Sequence, residues 1–335
     1  MSPRTLKLAA IQFRADPGDT LNNLSRAESL VLEAATQGAR LVLLPELTPG
    51  GYVLTEEIWN TAETMQGQSV AWLKATARRL NIYLGMSFLE AAEADFFNSF
   101  VLAAPSGEIA GRVRKNPPAS AEAYFFRAGS DEHFIDTDIG RIGVSICYEA
   151  LLHERLAEHQ QNSIDLLLIP MSAGTPAPIF PIRRKDCAAY ERMLLGLAAH
   201  HARALGVPTV MANKCGPLIT AMPAGMPFQD TYFPGLSTIA AADGRVVAQL
   251  GEAAAIAIAE VELDPSRKSR IAPRPFGRWA LSVPWFSFFF PLAAFFGARS
   301  YQKSKLRAER ALALGRDMAS PSFHPTPRDN ASPRP

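Results

Sequence analysis

The chain has 335 residues, 48% hydrophobic and 20% charged, and 34 Lys and Arg against 32 Asp and Glu leave a net charge of +2. These proportions exclude a disordered chain, a collagen and a disulfide-stapled miniprotein, and the length supports one large domain or two small ones. Near-neutral charge argues against a general nucleic-acid binder, which needs a surplus of basic residues.

Strands and helices alternate from the start. Residues 6–13 (LKLAAIQF) read as a buried strand. Residues 22–38 have helical spacing, with Leu24, Ala27, Leu30 and Val31 on one side and Gly38 as a stop. Residues 40–44 are a second buried strand, 55–80 are largely helical, and 82–89 and 99–104 are strands. The Pro105-Ser106-Gly107 turn joins the last of these to 109–114 as a hairpin.

The middle repeats this logic. Residues 141–146 form a strand running into Cys147, 150–160 are helical, and 165–170 (DLLLIP) form a strand. A long helix over 187–205 stops at Gly206 and gives way to a strand over 207–212. Residues 236–241 and 246–250 pair around Asp243-Gly244, and 255–263 form the last strand. Strand–turn–strand pairs mixed with strand–helix units predict an α/β domain of two sheets covered by helices. The expected organisation is a catalytic domain over 1–272, an apolar segment over 273–298, a basic helix over 299–318 and a disordered tail over 319–335.

Three cysteines form no C-x-x-C pair, and the six histidines form no H-E-x-x-H pattern, so neither a disulfide framework nor a metal site is expected. His200 and His201 read as ordinary helix residues. The N-terminus lacks an apolar signal region, so the body of the protein is expected to stay in the cytosol under reducing conditions.

Three polar residues interrupt apolar strand ends. Glu46 follows LLP at the end of a buried strand, where open α/β sheets build their sites. Lys115 ends the 109–114 strand. Cys147 ends the apolar run GVSI, with a helix starting just after it. That is the layout of a nucleophile elbow, a sharp turn lifting a side chain above a sheet edge, and it leaves the Tyr148 N–H near a developing oxyanion. Cys187 and Cys215 lack this setting and read as structural. A thiol is a weak nucleophile until a base takes its proton or a cation stabilises the thiolate. Glu46, Lys115 and Cys147 supply one group of each kind.

With these blocks in hand, the sequence resembles the nitrilase, or carbon–nitrogen hydrolase, superfamily. The matching blocks are LLPEL around Glu46, RKNPP with Glu122 and FRAG downstream, and GVSICYE around Cys147. Weaker matches are HHARALGVPTVMANKCG and the GLSTIAAADGRVVA hairpin, and the resemblance covers roughly residues 5–265. It implies a four-layer α-β-β-α sandwich, no cofactor, an assembly of at least two copies, and a Glu-Lys-Cys triad. On that implication Glu46 is the general base, Cys147 the nucleophile and Lys115 the stabiliser of the tetrahedral intermediate, with Glu122 orienting substrate and lysine. Pro117-Pro118 depart from the family's common His-Leu-type sequence. Cys-Tyr-Glu, rather than Cys-Trp, looks like amidases and the catalytic domain of apolipoprotein N-acyltransferase, so amide hydrolysis is favoured over nitrile hydrolysis. Transfer of the acyl group to an amine and an inactive scaffold are the rival readings. Glu149 has two readings, a family-type site residue or an acid complementing a helix dipole.

Residues 279–298 (WALSVPWFSFFFPLAAFFGA) carry no charge and hold six Phe and two of the four Trp. Arg274 and Arg278 precede the segment, and residues 299–335 after it carry eight basic and three acidic residues. Twenty apolar residues can cross a bilayer as a helix, but Pro284 and Pro291 break helical hydrogen bonding. The favoured expectation is a monotopic insertion into the cytoplasmic leaflet, with a single-span anchor as its variant. Trp279, Trp285, Phe286, Phe288, Phe289, Phe290, Phe295 and Phe296 would touch lipid, and the substrate would be a small-molecule or lipid-like amide. The competing reading is an extension packed across a subunit interface.

Overall fold

The computed structural model describes residues 3–269, 271 and 274–317. In chain order its first half comprises β1 (Arg4–Gln12), α1 (Thr20–Thr36), β2 (Leu41–Leu43), α2 (Gln68–Leu80), β3 (Tyr83–Ala92), β4 (Asp95–Ala103), β5 (Ile109–Arg114), β6 (Phe134–Thr137) and β7 (Gly140–Val144). Then come α3 (His153–Gln161), β8 (Leu166–Pro170), α4 (Arg184–Leu205), β9 (Thr209–Ala212), β10 (Cys215–Thr220), β11 (Gln229–Pro234), β12 (Thr238–Ala240), β13 (Val246–Gln249), β14 (Ala255–Leu263), α5 (Phe290–Lys303) and α6 (Lys305–Asp317).

Two sheets of like design face each other. One has the order β14-β1-β2-β3-β4-β5 and the other β13-β12-β9-β8-β7-β6. Parallel pairs occupy the centres, β1-β2-β3 in one and β7-β8-β9 in the other, with antiparallel strands outside. Parallel neighbours need a crossover, and α1 to α4 supply them. The two-residue period of β1 sorts its side chains between layers. Leu6, Leu8 and Ala10 join Ile142, Leu166, Leu168 and Val210 of the second sheet, and Leu194, Leu197 and Ala198 of α4 belong to the same cluster. Ala9 and Ile11 instead pack with Leu24, Ala27 and Val31 of α1 and Val70 and Leu73 of α2. The result is helix, sheet, sheet, helix.

Gly206 ends α4 in the left-handed region at φ 69°, and a Cβ there would lie 2.0 Å from the Arg267 carbonyl oxygen. Only glycine meets both demands.

Other elements differ from the sequence reading. The stretch 55–80 is not one helix. A 3-10 turn over Glu56–Thr61 is followed by Glu63, whose backbone bridges to Glu90 before α2 begins. The Glu63 carboxylate then takes the Ser69 N–H at 2.7 Å, satisfying one unpaired donor at the start of α2. Strand β6 and the β10-β11 hairpin have no counterpart in the reading from hydropathy, because FIDT and the Pro- and Gly-containing 215–234 stretch lack its period.

The apolar segment is also corrected. Trp279 is 2% and Phe286 6% exposed. Both are packed into the main core cluster rather than available to lipid. Trp279 stands edge-on to the Tyr148 ring at 6.0 Å, and Phe286 lies 6.0 Å from the Tyr190 ring. Neither proline kinks a helix. Pro284 precedes a 3-10 turn over Trp285–Phe289, and Pro291 sits in the first turn of α5, where its missing N–H is no loss. Among the described residues no helix is long and apolar enough to cross a membrane. Helix α5 runs through residue 298, and a break at Ser304 separates it from α6, so the basic helix expected over 299–318 is parts of two helices. The expected boundary at 272–273 and the tail 319–335 lie outside the described residues.

Candidate active site

Glu46, Lys115 and Cys147 follow the ends of β2, β5 and β7, and the two sheets bring these ends together. Glu46 is fully buried, and its backbone ties the sheets, with its N–H donating to the Met171 carbonyl at 3.2 Å and its carbonyl accepting from Ser172 Oγ at 2.9 Å. Its Oε1 accepts from Lys115 Nζ at 2.6 Å and from Asn98 Nδ2 at 2.7 Å. Its Oε2 is buried without a hydrogen-bond partner among the described residues. The Asn98 amide is oriented by Ser87 Oγ, which donates to Asn98 Oδ1 at 2.7 Å and accepts from the Leu47 N–H at 3.0 Å.

Lys115 Nζ also donates to Glu122 Oε2 at 2.8 Å. Glu122 stands in a 3-10 turn over Ser120–Tyr124 and accepts from the Ala119 N–H at 2.9 Å and from the Tyr52 hydroxyl at 2.9 Å. Burial alone would lower the Lys115 pKa, but the charges of Glu122 and Glu46 outweigh it and hold the ammonium well above its ordinary range. Burial pushes the Glu122 carboxyl up against the pull of Lys115, and the Glu46 charge adds to the rise.

Cys147 opens a 3-10 turn over Cys147–Leu151 with φ at 53°, a left-handed conformation costly for a residue with a Cβ. That strain is the elbow expected from the sequence. Burial raises the thiol pKa well above its ordinary value, and the negative charge of Glu46 adds to the rise. Lys115 and a hydrogen bond from the Ser172 backbone N–H oppose it. Burial and the Glu46 charge thus favour the protonated thiol, so attack calls for a base. Tyr148 occupies the next position, where helix N–H groups lack intrahelical partners.

The remaining question about Glu149 is answered by its partners. It is buried, and its two oxygens accept from the Ile146 N–H at 2.6 Å, the Asn116 N–H at 2.6 Å and His133 Nε2 at 2.7 Å. It is thus an acid at the start of the Cys147 turn, and it also cross-braces that turn to the residue after Lys115. Burial alone would raise its pKa, but His133 and Arg155 outweigh this and hold it below the usual range.

A cavity of about 240 Å³ opens onto these groups. Its wall includes Cys147, Glu122, Tyr52, Leu194, Phe286 and Phe290. Glu122 is the one charged side chain in that wall among the described residues, and it is paired with Lys115. The last two wall residues come from the aromatic segment. Pro117 and Pro118 instead line a separate cavity of about 480 Å³ beneath α5.

Asn98, Tyr52, Ser172 and Lys214 were not singled out from the sequence. Asn98 carried a usable signal, a polar amide inside the apolar strand FFNSF. Tyr52, Ser172 and Lys214 lie in connecting segments without such a signal. Lys214 is fully buried and donates to the Leu47 carbonyl at 3.2 Å. Burial lowers its pKa to about 7, although Glu46 and Cys147 pull it upward.

Comparison with known proteins agrees with this architecture. The family described as carbon-nitrogen hydrolase matches residues 7–270. The chain is 27% identical to the N-carbamoylputrescine amidase of Arabidopsis thaliana over 277 residues, covering 80% of this chain and 90% of that protein. It is 26% identical to the 2-oxoglutaramate amidase of Bacillus subtilis over 266 residues, covering 78% of this chain and 93% of that one. The crystal structure of a carbon-nitrogen hydrolase from Helicobacter pylori G27 superposes with a TM-score of 0.70 at 23% identity, covering 78% of this chain and 90% of that one. Fold and family pattern define an α/β hydrolase of carbon–nitrogen bonds, and the chain belongs to the carbon-nitrogen hydrolase family. Within it, the chain is an amidase-type enzyme.

Proposed function

We propose that the protein is a membrane-associated amidase that cleaves neutral amides with an apolar acyl part, through a thioester on Cys147. The observation that carries the chemistry is the division of labour on Glu46. One oxygen is held by Lys115 and Asn98, and the other is buried with no partner among the described residues. A carboxylate oxygen left free, on a group whose charge acts on the Cys147 thiol, is a base in waiting.

Glu46 Oε2 takes the thiol proton as sulfur attacks the carbonyl carbon. The carbonyl oxygen becomes an oxyanion, held by the Tyr148 N–H and Lys115. An ammonium has three donors, and two here serve Glu46 and Glu122, leaving one for substrate. The intermediate collapses, the C–N bond breaks, and Glu46 returns its proton to the departing nitrogen. Water then gives a proton to Glu46 as its oxygen attacks the thioester. The C–S bond breaks, the acid leaves, and Glu46 reprotonates the sulfur. Each oxyanion donor is worth about 10²–10³ in rate.

The substrate class follows from the wall. N-carbamoylputrescine and 2-oxoglutaramate carry an ammonium and a carboxylate. The cavity offers neither an unpaired partner charge, whereas Leu194, Phe286 and Phe290 offer apolar surface. A site built this way rewards burial of methylenes, about 0.8 kcal/mol each.

The test is acylation of Cys147, followed by mass spectrometry, across amides graded by acyl length and charge. The expected result is a thioester adduct that forms faster with longer neutral chains and is absent in Cys147→Ser. Faster acylation by short charged amides would reject the substrate class, and no adduct with any amide would reject the mechanism.

A further inference from the structure

The eight aromatics of the apolar segment divide into an inner and an outer set. Trp279, Phe286 and Phe290 turn inward, and the two phenylalanines form part of the cavity wall. Trp285, Phe288, Phe289, Leu292, Phe295 and Phe296 are exposed, at 40% to 65%. A helix spreads its side chains around the whole axis, about 3.6 residues per turn, so one stretch of chain serves both faces. Six large apolar side chains within twelve residues exceed what scattered surface hydrophobics explain.

Along the chain, the charge flanking the patch has one sign. Between Asp264 and Glu309 the chain holds nine basic residues and no acidic one. Arg274 and Arg278 before the patch and Arg299 and Lys303 after it are exposed. Arg299 lies over the Phe295 ring at 4.1 Å, a cation–π arrangement that holds its guanidinium on an aromatic face. Exposed aromatic side chains flanked in the chain by exposed arginine and lysine suit a bilayer boundary, with apolar interior below and anionic headgroups at the rim.

We propose that the outer side of the 285–299 turn seats the enzyme on an anionic bilayer leaflet, so that the residues entering the lipid and the residues walling the acyl cavity are opposite sides of one structural element. The partner is a lipid surface rich in anionic headgroups. This rests on the amidase reading only for its consequence, that hydrophobic amides reach the cavity from the membrane. Phe180, 88% exposed, and Ile179 stand in the loop that also supplies Ile182 to the cavity.

The test is co-sedimentation of the full chain with vesicles of phosphatidylglycerol or phosphatidylcholine, at low and high salt. The wild type should pellet with the anionic vesicles, less at high salt, and stay in solution with the zwitterionic ones. Phe288→Ser, Phe289→Ser and Leu292→Ser combined should weaken binding about tenfold or more, while hydrolysis of a short soluble amide stays at the wild-type rate. Arg299→Glu with Lys303→Glu keeps the apolar face and should abolish the preference for anionic lipid. Equal pelleting of the triple variant, or no pelleting of the wild type, overturns the proposal. So does a wild-type dimer, seen by light scattering, that the triple variant splits without any vesicle binding, because a second copy then covers the face. Sedimentation needs no turnover, so failure of the amidase reading leaves this test intact.

Discussion

Nζ of Lys115 lies 2.6 Å from Oε1 of Glu46, while the second oxygen of that carboxylate has no partner among the described residues. The pair thus orients the carboxylate without quenching it. Glu46→Gln should keep the bond to Lys115 through its amide oxygen and lose the base. The expected fall in kcat/KM is about 10²–10⁴-fold, with folding largely retained. Single-turnover acylation and thermal unfolding measure the two sides, and a loss below tenfold would place the base elsewhere.

Lys115→Met leaves Glu46 and Glu122, both buried, without their shared cation. Breaking a buried pair in this way costs about 3–5 kcal/mol. Urea denaturation should show that loss, and adding Glu122→Gln should recover part of it. If the double variant is no more stable than the single one, carboxylate repulsion is not the source.

Glu149→Gln tests the brace between the Cys147 turn and Asn116. The Glu149 carboxyl has a folded pKa below its unfolded value, so its stabilisation is present above the ordinary carboxylate range and is lost as pH falls through the depressed value. The variant should be less stable at neutral pH by about 1.5–3 kcal/mol and should lose less on acidification than the wild type. Its kcat should fall with little change in KM, since Glu149 does not line the cavity.

Lys214 has the opposite sign. Its folded pKa is about 7, against an unfolded value of about 10.4. Between these values the unfolded chain binds more protons, so stability rises with pH across that window, and the full penalty is present below it. Lys214→Met should therefore stabilise the protein at and below pH 7, with the gain fading toward pH 10. The Leu47 carbonyl keeps the Gly51 N–H at 3.1 Å, so no buried acceptor is orphaned. Denaturation midpoints against pH would show a flatter slope for the variant, and an unchanged slope would contradict the assignment.

Phe286→Ala removes an aromatic wall that lies beyond the family-matched residues. Long-chain neutral amides should lose about 10–200-fold in kcat/KM, and short ones much less. A uniform loss across chain lengths would point to a general loosening of the site.

Much of this site was legible because two of its reacting groups break an apolar run at a strand end. Glu46 after LLP and Cys147 after GVSI stand out by composition alone. Asn98 carried a weaker form of the same signal, since a polar residue inside a strand is also read as a solvated face. Tyr52 and Lys214 reach the site from connections whose sequence has no period to interpret. Trp279 and Phe286 mislead any window that counts apolar residues, because lipid and protein interior select the same side chains.

By itself the sequence determined the alternation of strands and helices and the chemical kinds of group at their ends, since hydropathy period and residue type are local properties. Only the tertiary structure decided that Glu46 and Lys115, 69 positions apart, share one hydrogen bond. It also decided which Glu46 oxygen stays unpaired, and that Phe286 faces a cavity while Phe288 faces outward. Those outcomes depend on the direction of each side chain after two sheets and four covering helices have packed, and no neighbour in the chain encodes that direction alone.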